Sequence, residues 1–340
     1  MAKIRIGLAI VPTSIALVGA GAVMARYIRE IRAARERVES FGSQVVETDC
    51  GPIEYARTGE GYPVLVVHGD MGGFDQGLLV AKPVIDAAFQ IISVSRFGYL
   101  RSPMPADANI NRQTDAYACL LDALGIEQAA VFAFSAGATS SIRFAARHPE
   151  RVSALILLCP AAPGKVEAAS PPRAIFDTLL RSDFAYWALT TYLRPWMQSL
   201  LGVPRGFDLT PEFEAEVKAA LDSTLPLSRR IDGFMFDTYD SDLRRDFYES
   251  VSETSPYPLG KMKTHVLLIH ALDDPYALPE NVRGLAQKIP NARLFVVPDG
   301  GHPLLGHTQE IKSEITQFLN SVVSVSNSSH HSLPVKEFQP

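Results

Sequence analysis

The chain is 340 residues long, with 32 lysines and arginines against 37 aspartates and glutamates, a formal net charge of −5 and three cysteines. The length suits two domains, or one large α/β domain with an insertion. Hydrophobic residues at 47% against 20% charged exclude a largely disordered chain. Mild acidity without a basic stripe argues against nucleic acid as a partner. Cys50, Cys119 and Cys159 are odd in number, far apart and outside any CxxC spacing, and they predict reduced thiols with neither a disulfide framework nor a zinc site.

Residues 6–25 form a twenty-residue uncharged stretch, long enough as a helix to span about 30 Å. Lys3 and Arg5 precede it, and Arg26, Arg29, Arg32, Arg35 and Arg37 follow. The heavier positive flank predicts a membrane anchor with the rest of the chain on the cytoplasmic side. The alternative is an exported protein with a cleaved signal peptide, Ala20-Gly21-Ala22 offering an A-x-A site. Residues 26–40 read as a charged, solvated connector helix. The polar, Ser-rich stretch 324–340 reads as a disordered tail.

From Val45 onward, short apolar runs alternate with helical periods. An opening hairpin turns around Cys50-Gly51-Pro52. Strand runs follow at 63–68, 91–95, 130–134, 154–159, 266–269 and 294–297, with helices at 114–124, 136–148, 279–288 and 309–322. Continuous apolar strands separated by helices predict a mainly parallel sheet sandwiched by helices. Residues 164–260 break the alternation with helical periods alone, and Thr210 followed by Pro211 looks like a helix start. The expected organisation is 1–40 as hydrophobic segment and connector, 41–163 and 261–323 as the α/β core, 164–260 as an inserted helical cap, and 324–340 as the tail.

The strand at 130–134 runs into Ala133-Phe134-Ser135-Ala136-Gly137, a G-x-S-x-G elbow with Ala in the first place. Small residues are needed there because the strand-to-helix turn leaves no room for larger neighbours. The following helix start aims amides at the place where negative charge would develop on a substrate. A serine nucleophile needs a base, and the base an orienting acid. After the strand at 266–269 comes His270-Ala271-Leu272-Asp273-Asp274-Pro275; after that at 294–297 comes Pro298-Asp299-Gly300-Gly301-His302. Both groups lie at carboxyl ends of strands, on the edge where Ser135 lies and where such sheets bind ligands.

In these motifs the chain resembles the α/β-hydrolase superfamily, in its cap-bearing branch of cofactor-free serine hydrolases, over roughly 45–322. The resemblance implies the α/β-hydrolase fold and a triad of Ser135, Asp274 and His302, with Asp273 as the rival acid. Some members carry the acid after the preceding strand, but Cys159-Pro160-Ala161-Ala162-Pro163 offers no carboxylate there. His68-Gly69-Asp70-Met71-Gly72-Gly73 resembles the family's H-G-x-x-G loop. The implied oxyanion hole comprises the backbone amide of Asp70 or Met71 and that of Ala136, with His68 holding the loop and the Asp70 carboxylate turned away. Ser95-Arg96-Phe97-Gly98-Tyr99 matches the family's D-x-x-G turn in part and is expected at the pocket mouth. His148, His265, His307 and Asp299 have structural readings.

The implied activity is hydrolysis of an ester or other acyl compound through an acyl-serine, without metal or organic cofactor. The same triad also serves C–C bond hydrolases, lactonases, thioesterases, perhydrolases and acyltransferases, and a non-catalytic binding protein on the same fold is a further alternative. Phe176, Phe184, Tyr186, Trp187, Tyr192, Trp196, Phe234 and Phe236 suggest an apolar acyl or aryl pocket, or a core of the cap itself.

Overall fold

A computed structural model describes residues 3–164, 173–240 and 257–329. Eight strands form one sheet in the order β1-β2-β4-β3-β5-β6-β7-β8. The opening hairpin is β1 (Gln44–Thr48) and β2 (Gly51–Thr58), paired antiparallel. Then come β3 (Tyr62–Val67), β4 (Phe89–Val94), β5 (Ala129–Phe134), β6 (Val152–Leu158), β7 (His265–Ala271) and β8 (Ala292–Val297), all parallel to one another. β3, β5, β6 and β7 are buried along most of their length, which is why they read as unbroken apolar runs.

The flanking helices are α2 (Phe74–Ala81), α3 (Ile110–Ala123) and α4 (Gly137–Arg147). Between β6 and β7 lie α5 (Arg173–Leu180), α6 (Asp183–Tyr192), α7 (Arg194–Leu200), α8 (Pro211–Ser223) and α9 (Ile231–Met235), followed by a π-helical turn Phe236–Asp240. α6 and α7 are separate helices although only one residue parts them, with Pro195 in the first turn of the second. Thr210 caps α8 as expected, accepting from the Phe213 amide. After β7 come α10 (Pro279–Lys288) and, after β8, α11 (Thr308–Ser329). Helix α11 continues into the stretch expected to be a disordered tail, and 330–340 lie outside the described residues.

The expected membrane anchor is overturned. Among the described residues no helix is long and apolar enough to cross a membrane. The N-terminal helix, α1 (Lys3–Ser40), passes through Ala20-Gly21-Ala22 without a break. From Val18 to Ser40 it carries Arg26, Arg29, Glu30, Arg32, Arg35, Glu36, Arg37 and Glu39, and part of its apolar face packs against protein. The connector is therefore not merely solvated. Ile31, Ala34 and Val38 are buried on one stripe of the helix, Trp187 Nε1 donates to Glu30 (2.7 Å), and Arg37 donates to the Asp222 and Leu225 carbonyls. Ile31 and Ala34 join the core of the insertion while Val38 joins that of the sheet, so α1 bridges the two. A fully buried aliphatic side chain contributes about 1.5–3 kcal/mol. The exposed i,i+4 pairs Arg26–Glu30 and Arg32–Glu36 contribute about 0.3–0.5 kcal/mol each, so burial decides where α1 lies.

The cysteine reading also needs correction. Cys50 and Cys119, separated by 69 positions in sequence, form a disulfide with Cα atoms 6.1 Å apart, while Cys159 is free and buried. Sequence spacing hides this pairing because it arises where α3 packs beside the β1–β2 hairpin. Closing so long a loop restricts the unfolded chain, and Cys119→Ser is expected to lower the unfolding free energy by about 4 kcal/mol. Urea denaturation checks this; an unchanged midpoint, with and without reductant, would contradict it.

Candidate active site

Ser135 follows β5 directly and is held at a left-handed φ of 52°. Its carbonyl accepts from the Ala138 and Ala161 amides, and its own amide donates to the Leu158 carbonyl. Gly137 fits because a Cβ there would lie 2.5 Å from the His68 carbonyl oxygen and 2.7 Å from that of Val67. Ala136 occupies the cap position of α4, so its amide stands at the positive end of the helix.

The loops after β5, β7 and β8 bring Ser135, Asp274 and His302 together. Ser135 Oγ lies 2.9 Å from His302 Nε2, and His302 Nδ1 lies 2.8 Å and 3.1 Å from the two oxygens of Asp274. A carboxylate can only accept, so Nδ1 carries the proton and Nε2 is left to accept from the Ser135 hydroxyl. Asp274 Oδ1 also accepts from the Tyr276 and Ala277 amides. Burial pushes the Asp274 carboxyl up, but His302 and these amides outweigh it and hold the group below the usual range. The imidazole is fixed between the rings of Phe134 and Tyr276, at 5.2 and 5.3 Å. Tyr276 donates to the Leu200 carbonyl, and the His302 amide donates to that of Gly202. Asp273 is elsewhere: it accepts from the Gly301 amide and braces the turn that carries His302.

Cys159 occupies the position after β6 where no acid could be found. Its Sγ, a carboxylate oxygen of Asp274 and a ring nitrogen of His302 lie within 4.8 Å of one another. Burial, and then the Asp274 charge, push the thiol well above its ordinary value. A thiol kept protonated beside a carboxylate already engaged by His302 and two amides is a poor metal ligand set.

Across from Ser135 runs the loop 69–73. A Cβ on Gly69 would lie 3.1 Å from that of Ser135, so the two backbones are in close approach. Asp70 is exposed, and Met71 adopts a left-handed φ of 54°. The Arg96 amide donates to His68 Nε2 (3.0 Å), so Nδ1 carries the proton and donates to the Gly69 carbonyl (2.7 Å). Gln76 accepts from the Gly69 amide and donates to the Asp70 carbonyl.

Around this loop are pairings the sequence reading did not reach. Arg96 pairs with Asp237 (2.7 Å), and Arg230 with Asp75 in a two-bond fork (2.7 and 2.8 Å), all four essentially buried. Asp75 lies in α2 and Arg96 in the turn after β4, but their partners lie in the insertion, beyond the reach of any spacing argument. The turn 95–99 is not at a pocket mouth: Ser95, Arg96, Phe97 and Tyr99 are buried. Ser95 binds the buried Glu54, which also takes Arg101. Of the insertion's aromatics, Tyr186, Trp187 and Phe234 pack in its own core, while Phe184, Tyr192 and Trp196 are exposed; the Phe176 side chain lies outside the described part. His307 pairs with Asp299 and Glu310.

A family model of the alpha/beta hydrolase fold matches residues 62–306, and the chain belongs to that family. Its members are enzymes that act on small molecules, and this protein is an α/β-hydrolase. An uncharacterized hydrolase of Bacillus subtilis, YcgS, is 37% identical over 114 residues, which is 34% of this chain and 40% of that protein. The 2-hydroxy-6-oxo-6-phenylhexa-2,4-dienoate hydrolase of Comamonas testosteroni is 27% identical over 74% of this chain and 84% of its own. Among solved structures, an alpha/beta hydrolase fold protein from Nakamurella multipartita superposes with a TM-score of 0.64 at 24% identity, covering 82% of this chain and 99% of its own.

His68 gives the site a pH signature. Burial, and then the Arg96 charge, hold its imidazole well below the ordinary 6.5. The unfolded chain binds this proton more readily, so the stability from neutral His68 is complete above about pH 6.5 and is lost as the pH falls toward the folded value. Urea midpoints should decline between about pH 7 and pH 5 less steeply for His68→Asn, whose amide can still donate to Gly69, than for the wild type. Parallel declines would contradict the assignment.

Proposed function

We propose that the protein is a serine hydrolase that cleaves an ester or related acyl substrate through an acyl-serine. The observation that carries this reading is the unbroken hydrogen-bonded chain from Ser135 Oγ through His302 to Asp274, at the end of a strand and the start of a helix. Ser135 Oγ attacks the substrate carbonyl as His302 Nε2 takes its proton. The tetrahedral oxyanion is held by the Ala136 amide and by that of Asp70 or Met71, each such donor contributing about 3–4 kcal/mol to the transition state. His302, now an imidazolium stabilised by Asp274, protonates the leaving group. Water, deprotonated by the same imidazole, releases the acid and restores Ser135. The described part of the segment 164–260 serves as the cap over this site, meeting it where the Gly202 carbonyl accepts from the His302 amide and the Leu200 carbonyl from the Tyr276 hydroxyl.

A second reading, C–C bond hydrolysis on the same triad, is favoured by the Comamonas testosteroni relative. Against it, both guanidinium groups beside the loop 69–73 already have their charge balanced by Asp75 and Asp237. A fluorophosphonate probe should label Ser135 in the folded protein. Ser135→Ala and His302→Ala should each lower turnover of a short p-nitrophenyl ester by 10⁴-fold or more, and Asp274→Asn by about 10⁴-fold. Labelling absent from folded wild type, or activity retained in Ser135→Ala, would overturn the reading. Faster turnover of a 2-hydroxy-6-oxo-dienoate than of any ester would move the assignment to the second.

A further inference from the structure

We propose that Arg96 and Asp237 are positioning residues for the oxyanion loop, so that the seating of the insertion on the sheet sets the direction of the amides beside Ser135. The inference rests on the serine-hydrolase reading and concerns the same site.

The Gly69 carbonyl accepts two hydrogen bonds, one from His68 Nδ1 at 2.7 Å and one from Arg96 Nη2 at 3.1 Å. With both acceptor directions occupied, the Gly69–Asp70 peptide cannot rotate without losing them. In a trans peptide the carbonyl and the following N–H point in opposite directions. Gly69 O turned toward Arg96 therefore turns the Asp70 N–H away from Arg96. The next peptide is governed in the same way, because Asp70 O faces Gln76 Nε2 at 3.2 Å. Further along, Arg230 grips the Gly72 carbonyl at 2.6 Å. The loop is thus held by its carbonyls, and the holders decide where its amides point.

Arg96 can do this only while its own charge is balanced. It is 3% exposed, and Asp237 Oδ2 lies 2.7 Å away while also accepting from the Tyr99 hydroxyl at 2.6 Å. The Tyr99 ring lies beneath the guanidinium, 4.9 Å from it, and meets the His68 ring edge-on at 4.5 Å. Asp237 belongs to the insertion, in the π-helical turn after α9. That segment is stitched to the sheet by the Leu100 amide donating to the Arg229 carbonyl (2.7 Å) and the Gly233 amide to that of Gly98 (3.0 Å). Moving the segment away removes a counter-charge from a buried guanidinium, which is strongly unfavourable unless Arg96 moves too. When Arg96 moves, the Gly69 carbonyl loses a donor.

The test uses the full-length protein with Arg96→Lys, Asp237→Asn and Tyr99→Phe. Lysine keeps the charge but cannot reach Asp237 and Gly69 with one planar group. For variants that keep a cooperative melting transition, kcat on a short p-nitrophenyl ester should fall about 10- to 100-fold for the first two, with KM within about threefold. The inhibition constant of a trifluoromethyl ketone, whose adduct places an oxyanion in the hole, should rise by the factor by which kcat/KM falls. Tyr99→Phe should show a smaller loss of the same kind and decides the matter if the other two do not fold. An unchanged kcat in a folded variant, a loss carried by KM alone, or an unmoved ketone affinity despite lower kcat would each overturn the inference while leaving the triad intact. Wild type that fluorophosphonate fails to label would instead overturn the serine-hydrolase reading, and this inference with it.

Discussion

The turn at Ser135 constrains everything built around it. A left-handed serine between a buried strand and a helix is tolerated only where the surroundings over-determine it. Here the Ser135 backbone is tied to β6 through Leu158 and Ala161, and α4 starts against the carbonyls that end β3. A Cβ on Gly137 would collide with these carbonyls, and one on Gly69 would crowd the Ser135 Cβ. Once this junction closes, the loops after β7 and β8, which follow β6 in parallel along the sheet, have one edge on which to present Asp274 and His302.

The opposite wall of the site is held electrostatically. Arg96–Asp237 and Arg230–Asp75 each join the sheet to the insertion, and each guanidinium also holds a carbonyl of the loop 69–73. Buried pairs of this kind are poor sources of net stability because desolvation offsets much of their attraction. What they supply is geometry: a displaced partner leaves a charge uncompensated, so alternative seatings of the insertion are penalised. Helix α1 reinforces the same arrangement by apolar packing, with Ile31 and Ala34 in one core and Val38 in the other. Its arginines, which as a sequence look like a flank for a membrane segment, partly serve this docking through Arg37 and the Asp222 and Leu225 carbonyls.

The parallel strands and the elbow were legible in the chain because their signals are local: apolar runs for burial on both faces, small residues around Ser135, and polar groups just past strand ends. The groups that hold Asp274 and His302 stood out by their place after β7 and β8, and the resemblance to the α/β-hydrolases implied those two residues, although only the fold shows Asp273 bracing Gly301 instead of competing for the imidazole. Tertiary structure alone decided the Cys50–Cys119 bridge, the docking of α1, the burial of the turn 95–99, and the partners of Arg96 and Arg230. Each is a pairing across many tens of residues, and neither periodicity nor spacing carries information over that range. The opening composition thus indicated a folded chain and argued against nucleic acid as a partner, while the alternation of apolar runs and helical periods indicated the α/β class and the local motifs where its chemistry would lie. What surrounds that chemistry was fixed by burial and charge neutralisation between segments that meet only when the sheet and the insertion pack together.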